Sequence, residues 1–244
     1  MSERLDLVDL HTHILPGVDD GSSSMQETLE MVDLAYREGV RTIIATSHFD
    51  HERSYGIYPY REIFAKVQQE VAKSHPDMQL YLGSEILYTY GVLDDLASGD
   101  ALTIEDTKYI LVEFYPDEHY SEVFGAFQKL RRSGYKPILA HVERVDCLWK
   151  QWDRMDELKS MHILFQMNTE SIIGSVFNGP VRYCRKLIKE GYIDFMGTDM
   201  HNKKSRAPVY REAAAWIEKE FGREVCEDIC RNHALAVVEG KRLA

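Results

Sequence analysis

The sequence predicts an α/β fold, most simply a barrel of (β/α)7 type followed by further helices. Strand-like and helix-like segments alternate along most of the 244 residues, which is the pattern of a parallel sheet covered by helices. Histidines and carboxylates recur where the strand-like segments end. From residue 208 onward the pattern is helical throughout. The length suits one large α/β domain, since it allows a sizeable core.

Seven segments are predicted as strands because apolar and β-branched residues dominate them. The first covers residues 5–11 and ends against "HTH". The others are, in order, "VRTIIATSH", "MQLYLGSE", "KYILVEF", "KPILAH", "HILFQMN" and "YIDFMGTD".

Helical patterns separate these strands. The first, "SMQETLEMVDLAYREG", begins with Ser24 and Glu27 at the spacing of a capping box and ends at Gly39. The sequence contains no linker, repeat or low-complexity stretch, so a single domain of residues 1–244 is predicted. Further helices are predicted at residues 60–74, 120–133, 150–160 and 179–190.

The composition excludes several classes of protein. A hydrophobic fraction of 44% and a charged fraction of 28% are typical of a soluble globular chain. No apolar run approaches the roughly 20 residues that cross a bilayer, so no membrane insertion is predicted. The N-terminal segment carries acids and enters a strand pattern at once, so no signal peptide is expected. A net charge of −11 argues against a protein that binds the nucleic-acid backbone.

The four cysteines show no paired framework, which favours a reducing, cytoplasmic location. Cys226 and Cys230 lie four residues apart in a helical pattern and are predicted as core thiols. A thiol-based tyrosine phosphatase needs a cysteine and an arginine six positions apart. Neither these two cysteines nor Cys147 and Cys184 have an arginine at that offset, so this chemistry is excluded.

The first strand ends in a pair of histidines. Side chains two residues apart on an extended segment point the same way, so His11 and His13 can present two imidazoles to one point. Asp20 follows within a few residues. By itself such a pair is a weak metal signal, and the other strand ends decide the interpretation.

Six of the seven predicted strands carry an imidazole or a carboxylate at or just beyond their carboxyl ends. Those ends converge at one rim of a barrel, where active sites of such folds are built. Nine ligands exceed what one ion binds, so two or three divalent ions are predicted, and nitrogen and oxygen ligands favour manganese, iron or zinc. Such a cluster generates hydroxide near neutral pH. The candidate ligands are His11, His13, Asp20, His48, Glu85, Glu113, His141, Asp199 and His201.

Several motifs resemble those of the PHP (polymerase and histidinol phosphatase) superfamily. They are "DLHTHILPGVDDG", "GSEI", "YILVEF", "AHVER" and "GTDMHN", and they look most like the bacterial tyrosine-protein phosphatases linked to capsule and exopolysaccharide export. The resemblance runs from about residue 5 to 206. It implies a distorted (β/α)7 barrel of the PHP type with a trinuclear site, commonly loaded with manganese. The segment "TSHFDHERSYGIYP" differs from the shorter forms typical of that branch. This difference affects the expected substrate lip, and hence the partner preference, more than the metal ligands.

The resemblance also implies how the nine candidate ligands divide among three ions, with Glu85 bridging the first two. One ion is assigned to His11, His13, Glu85 and Asp199, a second to Glu85, Glu113 and His141, and a third to Asp20, His48 and His201.

Two arginines follow these motifs, Arg144 three residues after His141 and Arg206 five after His201. A guanidinium can bind two phosphate oxygens at once, and the resemblance assigns both arginines to phosphate binding. His48 or His201 is the candidate proton donor to the leaving oxygen. Aromatic residues near the strand ends have two interpretations: ordinary packing at the barrel edge, or an aromatic lip that holds a phosphotyrosine ring. These residues are Phe49, Tyr55, Tyr58, Tyr88, Tyr90 and Tyr115.

The predicted function is hydrolysis of protein phosphotyrosine by a metal-bound hydroxide, with no covalent phosphoenzyme. The implied partner is a bacterial tyrosine autokinase that controls capsule or exopolysaccharide synthesis. Three alternatives stay open: a histidinol-phosphate phosphatase, a phosphatase of another small phosphomonoester, and a non-catalytic phosphoprotein-binding module. An amidohydrolase is disfavoured, because strand four ends in Glu113 where those enzymes typically use a lysine.

Overall fold

The computed structural model of the chain describes residues 5–51, 59–175 and 177–243. Every strand pairing in these ranges is parallel, and helices lie between successive strand positions, which confirms the predicted alternation. The strands are β1 (Leu7–Thr12), β2 (Val40–Ala45), β3 (His48–Phe49), β4 (Gln79–Leu82), β5 (Glu85–Leu87), β6 (Tyr109–Glu113), β7 (Lys136–Leu139), β8 (Leu164–Asn168) and β9 (Phe195–Gly197).

The helices surround this sheet and continue beyond it. The short helix α3 was not predicted, and the tail predicted as helical from residue 208 forms α7 to α9, with a π-helical turn at Asp228–Asn232. The helices are α1 (Met25–Arg37), α2 (Tyr60–Ser74), α3 (Val92–Ser98), α4 (Tyr120–Arg132), α5 (Trp152–Ser160), α6 (Gly179–Lys189), α7 (Arg211–Phe221), α8 (Arg223–Glu227) and α9 (His233–Val238).

The sheet closes on itself. Strands β1, β2 and β4 form one ladder, and β3, β5, β6, β7, β8 and β9 form a second one. The last strand returns to the first, because the amide of Asp199 donates to the carbonyl of His11 at 2.8 Å and that of His13 to Met200 at 3.0 Å. The result is a distorted barrel with seven strand positions.

The second and third predicted strands are interrupted, which corrects the expectation of continuous strands. Strands β1 and β2 last pair at Thr12 and Ala45, where the amide of Thr46 donates to the carbonyl of Thr12 at 2.8 Å. The amide of Glu85 donates to the carbonyl of Ser47 at 3.1 Å. The two paths stay neighbours across the break, because β2 pairs with β4 and β3 pairs with β5. The second half of each path carries His48 and Glu85 to the rim.

The predicted start of α1 is confirmed in one half of its capping box. The amide of Glu27 donates to Ser24 Oγ at 3.2 Å, as the spacing predicts. The Glu27 carboxylate instead accepts from the amide of Ser23 at 3.0 Å, so the reciprocal bond is formed one residue earlier than expected. The helix ends at Arg37, and Gly39 adopts a left-handed φ of 97° as the stop.

The core has two parts. The larger part lies between the strands and the surrounding helices. The smaller part, which we call the apolar plug, fills the amino-terminal end of the barrel interior and includes α9. Its members are Val8, Leu10, Ile44, Ile104, Tyr109, Leu111, Ile138, Ala140, Phe195, Ala234, Val237 and Val238.

Two further observations concern the chain as a whole. Within the described ranges, no helix combines the length and apolar character that crossing a bilayer requires. Cys226 and Cys230 are buried, as predicted from their helical spacing. The single domain of residues 1–244 stays a prediction.

Candidate metal centre

The two histidines of β1 point into one site. A register shift lies between Asp9 and Thr12, so Leu10 joins the apolar plug while the next residue, His11, enters the polar site. His13 follows on the same side, and the two Nε2 atoms lie 3.2 Å apart. Both imidazoles are fully buried. Two ring nitrogens at this separation can share one cation.

Glu85, at the start of β5, is the hub of the site. Its Oε2 lies 3.0 Å from His11 Nε2 and 3.1 Å from His13 Nε2. The same oxygen is 3.2 Å from His48 Nδ1, and Oε1 is 2.7 Å from His141 Nε2. Burial raises the pKa of this carboxyl, but the imidazoles outweigh it and hold the pKa well below its usual range. One carboxylate thus joins four imidazoles.

Asp199 uses its two oxygens differently. Its Oδ2 accepts hydrogen bonds from Asn168 Nδ2 at 2.9 Å, Arg144 Nη1 at 2.8 Å and Arg206 Nη2 at 2.6 Å. Its Oδ1 is buried without a hydrogen bond and lies 3.4 Å from His13 Nε2. The backbone at Asp199 adopts a positive φ of 53°, a conformation that costs energy and aims the side chain. The arrangement leaves Oδ1 available to a cation.

A third cluster lies where β1, β3 and the segment after β9 meet. Asp20 Oδ1 is 3.5 Å from His48 Nε2 and 3.4 Å from His201 Nε2. His201 Nδ1 is 2.8 Å from the carbonyl of Asp199, so Nδ1 carries the proton and Nε2 keeps its lone pair. His201 stacks on His13 with ring centroids 3.8 Å apart.

Glu113 completes the set at the end of β6. Its Oε1 lies 2.9 Å from His48 Nδ1, and its Oε2 lies 3.7 Å from His141 Nε2. The structure therefore brings all nine predicted ligands together at one rim.

Three groups have ligand atoms within 4.8 Å of one another. The group that contains His11 is the set predicted for the first ion. The group that contains Asp20 is the set predicted for the third ion with His13 added. The last group differs from the set predicted for the second ion, because His48 stands in place of His141. The roles of these residues as ligands stay predictions. The groups are His11, His13, Glu85 and Asp199; His13, Asp20, His48 and His201; and His48, Glu85 and Glu113.

The donor set fits divalent metal ions. Among the described residues, the buried atoms Asp199 Oδ1, His201 Nε2 and His141 Nδ1 find no hydrogen-bond partner, although such atoms are normally paired. The first two face other candidate ligands. Imidazoles and carboxylates at this spacing, with no thiolate among them, suit manganese, iron or zinc.

A surrounding shell of polar groups was missed by the sequence analysis. Asp19 Oδ2 lies 2.9 Å from His13 Nδ1, and the imidazole holds the pKa of Asp19 below its usual range despite burial. On β8, Gln166 Oε1 lies 3.1 Å from His11 Nδ1 and accepts from the amide of His141 at 2.8 Å. Gln166 Nε2 donates to Asn168 Oδ1 at 2.9 Å. Polar residues alternating within the buried run "FQMN" were the available signal.

These outer contacts fix the ligands. When one ring nitrogen of a histidine donates to a fixed acceptor, the other is left as the metal-binding lone pair. Asp19 does this for His13, and Gln166 does it for His11. Strand β8, which carries no predicted ligand, thus contributes by orienting its neighbours.

Beside the polar cluster lies a cavity of about 260 Å³. Tyr115 and Phe114 line it together with the candidate ligands His48, Glu113 and Asp20. Of the six residues predicted for the aromatic lip, the described structure places one at this cavity. Tyr115 lines the cavity, Tyr88 packs on Phe114, Phe49 is buried in the core, Tyr90 is 99% exposed, and Tyr55 and Tyr58 lie outside the described residues.

The cysteines lie outside this cluster, and all four are free. Burial raises the pKa of Cys184 to about 12 and raises that of Cys147 as well. Cys226 and Cys230 lie on the C-terminal helical segments, and Cys226 Sγ donates to the carbonyl of Ala214 in α7. The site therefore contains no activated thiol among the residues described.

Comparison with known proteins gives a family match over nearly the whole chain. The sequence model of the family described as "Capsular polysaccharide synthesis, CpsB/CapC" matches residues 7–239. The tyrosine-protein phosphatase CpsB of Streptococcus agalactiae serotype V is 30% identical over 243 residues, covering 96% of this chain and 98% of its own. The tyrosine-protein phosphatase YwqE of Bacillus subtilis is 33% identical over 227 residues, covering 90% of this chain and 87% of its own.

Solved structures agree with this match. One from a study of YwqE from Bacillus subtilis and CpsB from Streptococcus pneumoniae, described as unique metal-dependent tyrosine phosphatases, superposes with a TM-score of 0.87 at 31% identity. It covers 98% of this chain and 96% of that chain. The phosphotriesterase homology protein of Escherichia coli has a TM-score of 0.60 at 12% identity, covering 95% and 98% of the two chains, and shares the fold alone.

Proposed function

The chain belongs to the CpsB/CapC family of capsular polysaccharide synthesis, and we propose that it is a metal-dependent protein-tyrosine phosphatase. The observation that carries the proposal is the convergence of nine imidazole and carboxylate side chains with Arg144 and Arg206 at one rim. Relatives that cover nearly the same length bear the name tyrosine-protein phosphatase.

The three ligand groups are proposed to hold two or three divalent ions. Manganese is the proposed metal, and iron or zinc suit the same ligands. When bound, such ions lower the pKa of coordinated water and neutralise charge on phosphoryl oxygens. Glu85 is proposed as the bridging carboxylate, because it lies against four imidazoles.

Arg144 and Arg206 are proposed to hold the phosphoryl group. Each guanidinium donates one N–H to Asp199 Oδ2, which fixes its plane at the rim. Each side chain remains partly exposed, 40% for Arg144 and 35% for Arg206. The free N–H groups can therefore bind phosphoryl oxygens in bidentate fashion and stabilise the charge that develops in the transition state.

The cavity beside the cluster is proposed to take the tyrosine ring against Tyr115 and Phe114. Of the two candidate proton donors, His48 lines this cavity and has 21% of its side chain exposed, whereas His201 is 2% exposed. His48 is therefore the better placed of the two as the proton donor, in which case Nε2 holds the proton and Nδ1, beside Glu85 and Glu113, is its ligand atom. Tyrosine has a pKa of about 10, so its oxygen leaves with less help than a serine alkoxide.

The proposed partner is a phosphotyrosine protein, and more narrowly a bacterial tyrosine autokinase of capsule or exopolysaccharide synthesis. The family description supports the link to capsule synthesis. A histidinol-phosphate phosphatase is the second candidate, since it would use the same metals and a different pocket. The cytoplasmic location stays a prediction.

Turnover of three substrates tests the proposal. We expect the purified chain to hydrolyse a phosphotyrosyl peptide with manganese, and to hydrolyse a phosphoseryl peptide and histidinol phosphate far more slowly. A chelator should abolish all turnover, and added manganese should restore it. Preferred turnover of histidinol phosphate would replace the proposed substrate, and full activity in strong chelator would overturn the metal dependence.

A further inference from the structure

A second surface feature lies on the flank of the barrel, between α5, α6 and α7. It is a groove of about 670 Å³, which we call the cationic groove. Five lysine or arginine side chains and a single glutamate line it, together with aromatic rings. Its main residues are Lys150, Trp152, Arg182, Tyr183, Arg185, Lys186, Lys189, Trp216, Glu220 and Phe221.

The charge of the groove is opposite to that of the chain, whose net charge is −11. In the part of the chain that the structure describes, no carboxylate forms an ion pair with Lys150, Arg182, Lys186 or Lys189. These four cations are exposed. Uncompensated cations along one concave wall create a positive potential, which raises the local concentration of anions.

Aromatic rings give the groove fixed walls. Lys186 Nζ lies 4.3 Å from the centre of the Trp152 ring, and the Arg185 guanidinium lies 4.6 Å from that of Trp216. Contacts of this kind stabilise the cations in place. Both tryptophans stay partly exposed, so they also offer flat apolar surface to a ligand.

A chain of contacts joins the groove to the phosphate-binding arginines. Arg144 Nη2 lies 3.4 Å from Glu170 Oε1, in the turn that follows β8. Arg185 Nε donates to the carbonyl of Ile172, at the end of that same turn, at 3.0 Å. Lys150 follows Arg144 in the segment after β7, and its amide donates to Tyr183 Oη at 3.2 Å. The turn after β8 thus contacts both Arg144 at the rim and Arg185 in the groove.

We propose that the cationic groove binds an acidic segment of the phosphotyrosine protein whose phosphoryl group enters the metal site. This inference rests on the proposed function and adds the class of substrate sequence. Two observations favour a peptide over a long polyanion. The turn after β8 connects the groove to Arg144 at the rim, and the remaining surface of a chain with net charge −11 repels an extended polyanion.

A paired set of substrates tests the proposal. We compare two phosphotyrosyl peptides of equal length, one with aspartate and glutamate beside the phosphotyrosine and one with asparagine and glutamine instead. For the wild-type chain with manganese we expect kcat/KM to be about 10-fold higher for the acidic peptide, mainly through KM and less so at high salt. The double variant Arg182→Glu/Lys186→Glu should lose this preference.

Controls separate the groove from the active site. The variant should hydrolyse 4-nitrophenyl phosphate, which is too small to reach the groove, at the wild-type rate. A matched double reversal on exposed lysines elsewhere, Lys66→Glu/Lys129→Glu, should keep the preference for the acidic peptide. The milder variant Arg182→Gln/Lys186→Gln should lose part of the preference for the acidic peptide. It provides a second test in case the charge reversal disturbs folding.

The outcomes are distinguishable. If the wild-type chain hydrolyses neither peptide, the proposed function fails. If it hydrolyses both equally well, or if the charge-reversal variant keeps its preference, the groove proposal alone fails. Binding of an acidic polysaccharide such as polygalacturonate that is lost in the variant, with no change in peptide preference, would also overturn it in favour of a carbohydrate ligand.

Discussion

The two ends of the barrel interior are built from the same strands but in opposite chemistry. On β1, Leu10 belongs to the apolar plug and His11 to the metal centre. On β6, Leu111 belongs to the plug and Glu113, two residues on, to the metal centre. One end is held by burial of apolar surface, whereas the other gathers imidazoles and carboxylates that gain little from each other without a cation.

The difference indicates where the folding free energy arises. The apolar plug stabilises the fold through the hydrophobic effect, at roughly 25 cal/mol per Å² of apolar surface buried. The rim bears the desolvation cost of buried charges, which ion pairing must offset before it adds any stability. Binding of metal ions adds stabilisation to the native state only, since the unfolded chain has no assembled site. Damage at the rim should therefore appear mainly in activity, and damage at the plug in stability.

Replacing the hub carboxylate should have the largest effect. Glu85→Gln removes the charge that four imidazoles face, and we expect kcat/KM for phosphotyrosyl peptide to fall by more than about 1000-fold, with loss of bound metal. The far-ultraviolet circular dichroism should stay that of the wild type, because the amide has the same shape. Metal analysis and kinetics measure both quantities.

A matched control for that variant is Glu122→Gln on the exposed face of α4, which should change neither metal content nor activity. Full activity of Glu85→Gln with normal metal content would remove the bridging role. Unfolding of the variant would contradict the idea that the rim contributes little to folding.

The two arginines proposed to bind phosphate should give the next largest effect. Arg206→Ala and Arg144→Ala each remove a charge-assisted contact to the transition state, which should cost on the order of 2–4 kcal/mol, or about 30- to 1000-fold in kcat/KM. Asp199 keeps Asn168 and the other arginine as donors to Oδ2, so metal content should be retained. Normal kinetics in either variant would remove that arginine from the reaction.

Removal of metal should lower stability by a smaller amount. A ligand present at 100 times its Kd stabilises the native state by about 2.7 kcal/mol, which for a chain of this size corresponds to roughly 5–10 °C in Tm. Calorimetry of the metal-free and manganese-loaded chain measures this difference. Equal Tm values in the two forms would contradict the view that the rim depends on a cation.

The predictability of the two ends from sequence also differs. The convergence of the strand-end histidines and carboxylates could be predicted because the strand period and the barrel rim bring them together whatever the details of packing. Gln166 was missed because its partner His11 lies 155 residues away.

Asp9 gave no signal either, because its partner Thr198 is also distant in the sequence. It is fully buried with a pKa raised to about 6 by burial, and it accepts from Thr198 N at 2.8 Å, tying β1 to β9.

The plug was predicted only in outline. The tail was recognised as helical, but helical periodicity does not tell which surface a helix covers, so the insertion of α9 into the amino-terminal end of the barrel could not be foreseen. The interruption of the second and third strands was missed for a related reason. The break in the second strand follows the last pairing of β2 with β1, between Ala45 and Thr12, and neither segment alone encodes where that pairing stops.

A change in the plug should have the smallest effect of the series and should fall on stability alone. Val237 of α9 is fully buried, and Val237→Ala removes two methyl groups, which should cost about 2 kcal/mol, or roughly 4–8 °C in Tm. Because the plug and the metal centre share no side chain, this loss should be equal in the metal-free and manganese-loaded forms. The kcat/KM of the loaded variant should equal that of the wild type below its melting range. A loss that differs between the two forms, or reduced activity at full metal content, would show that the two ends are energetically coupled through the strands.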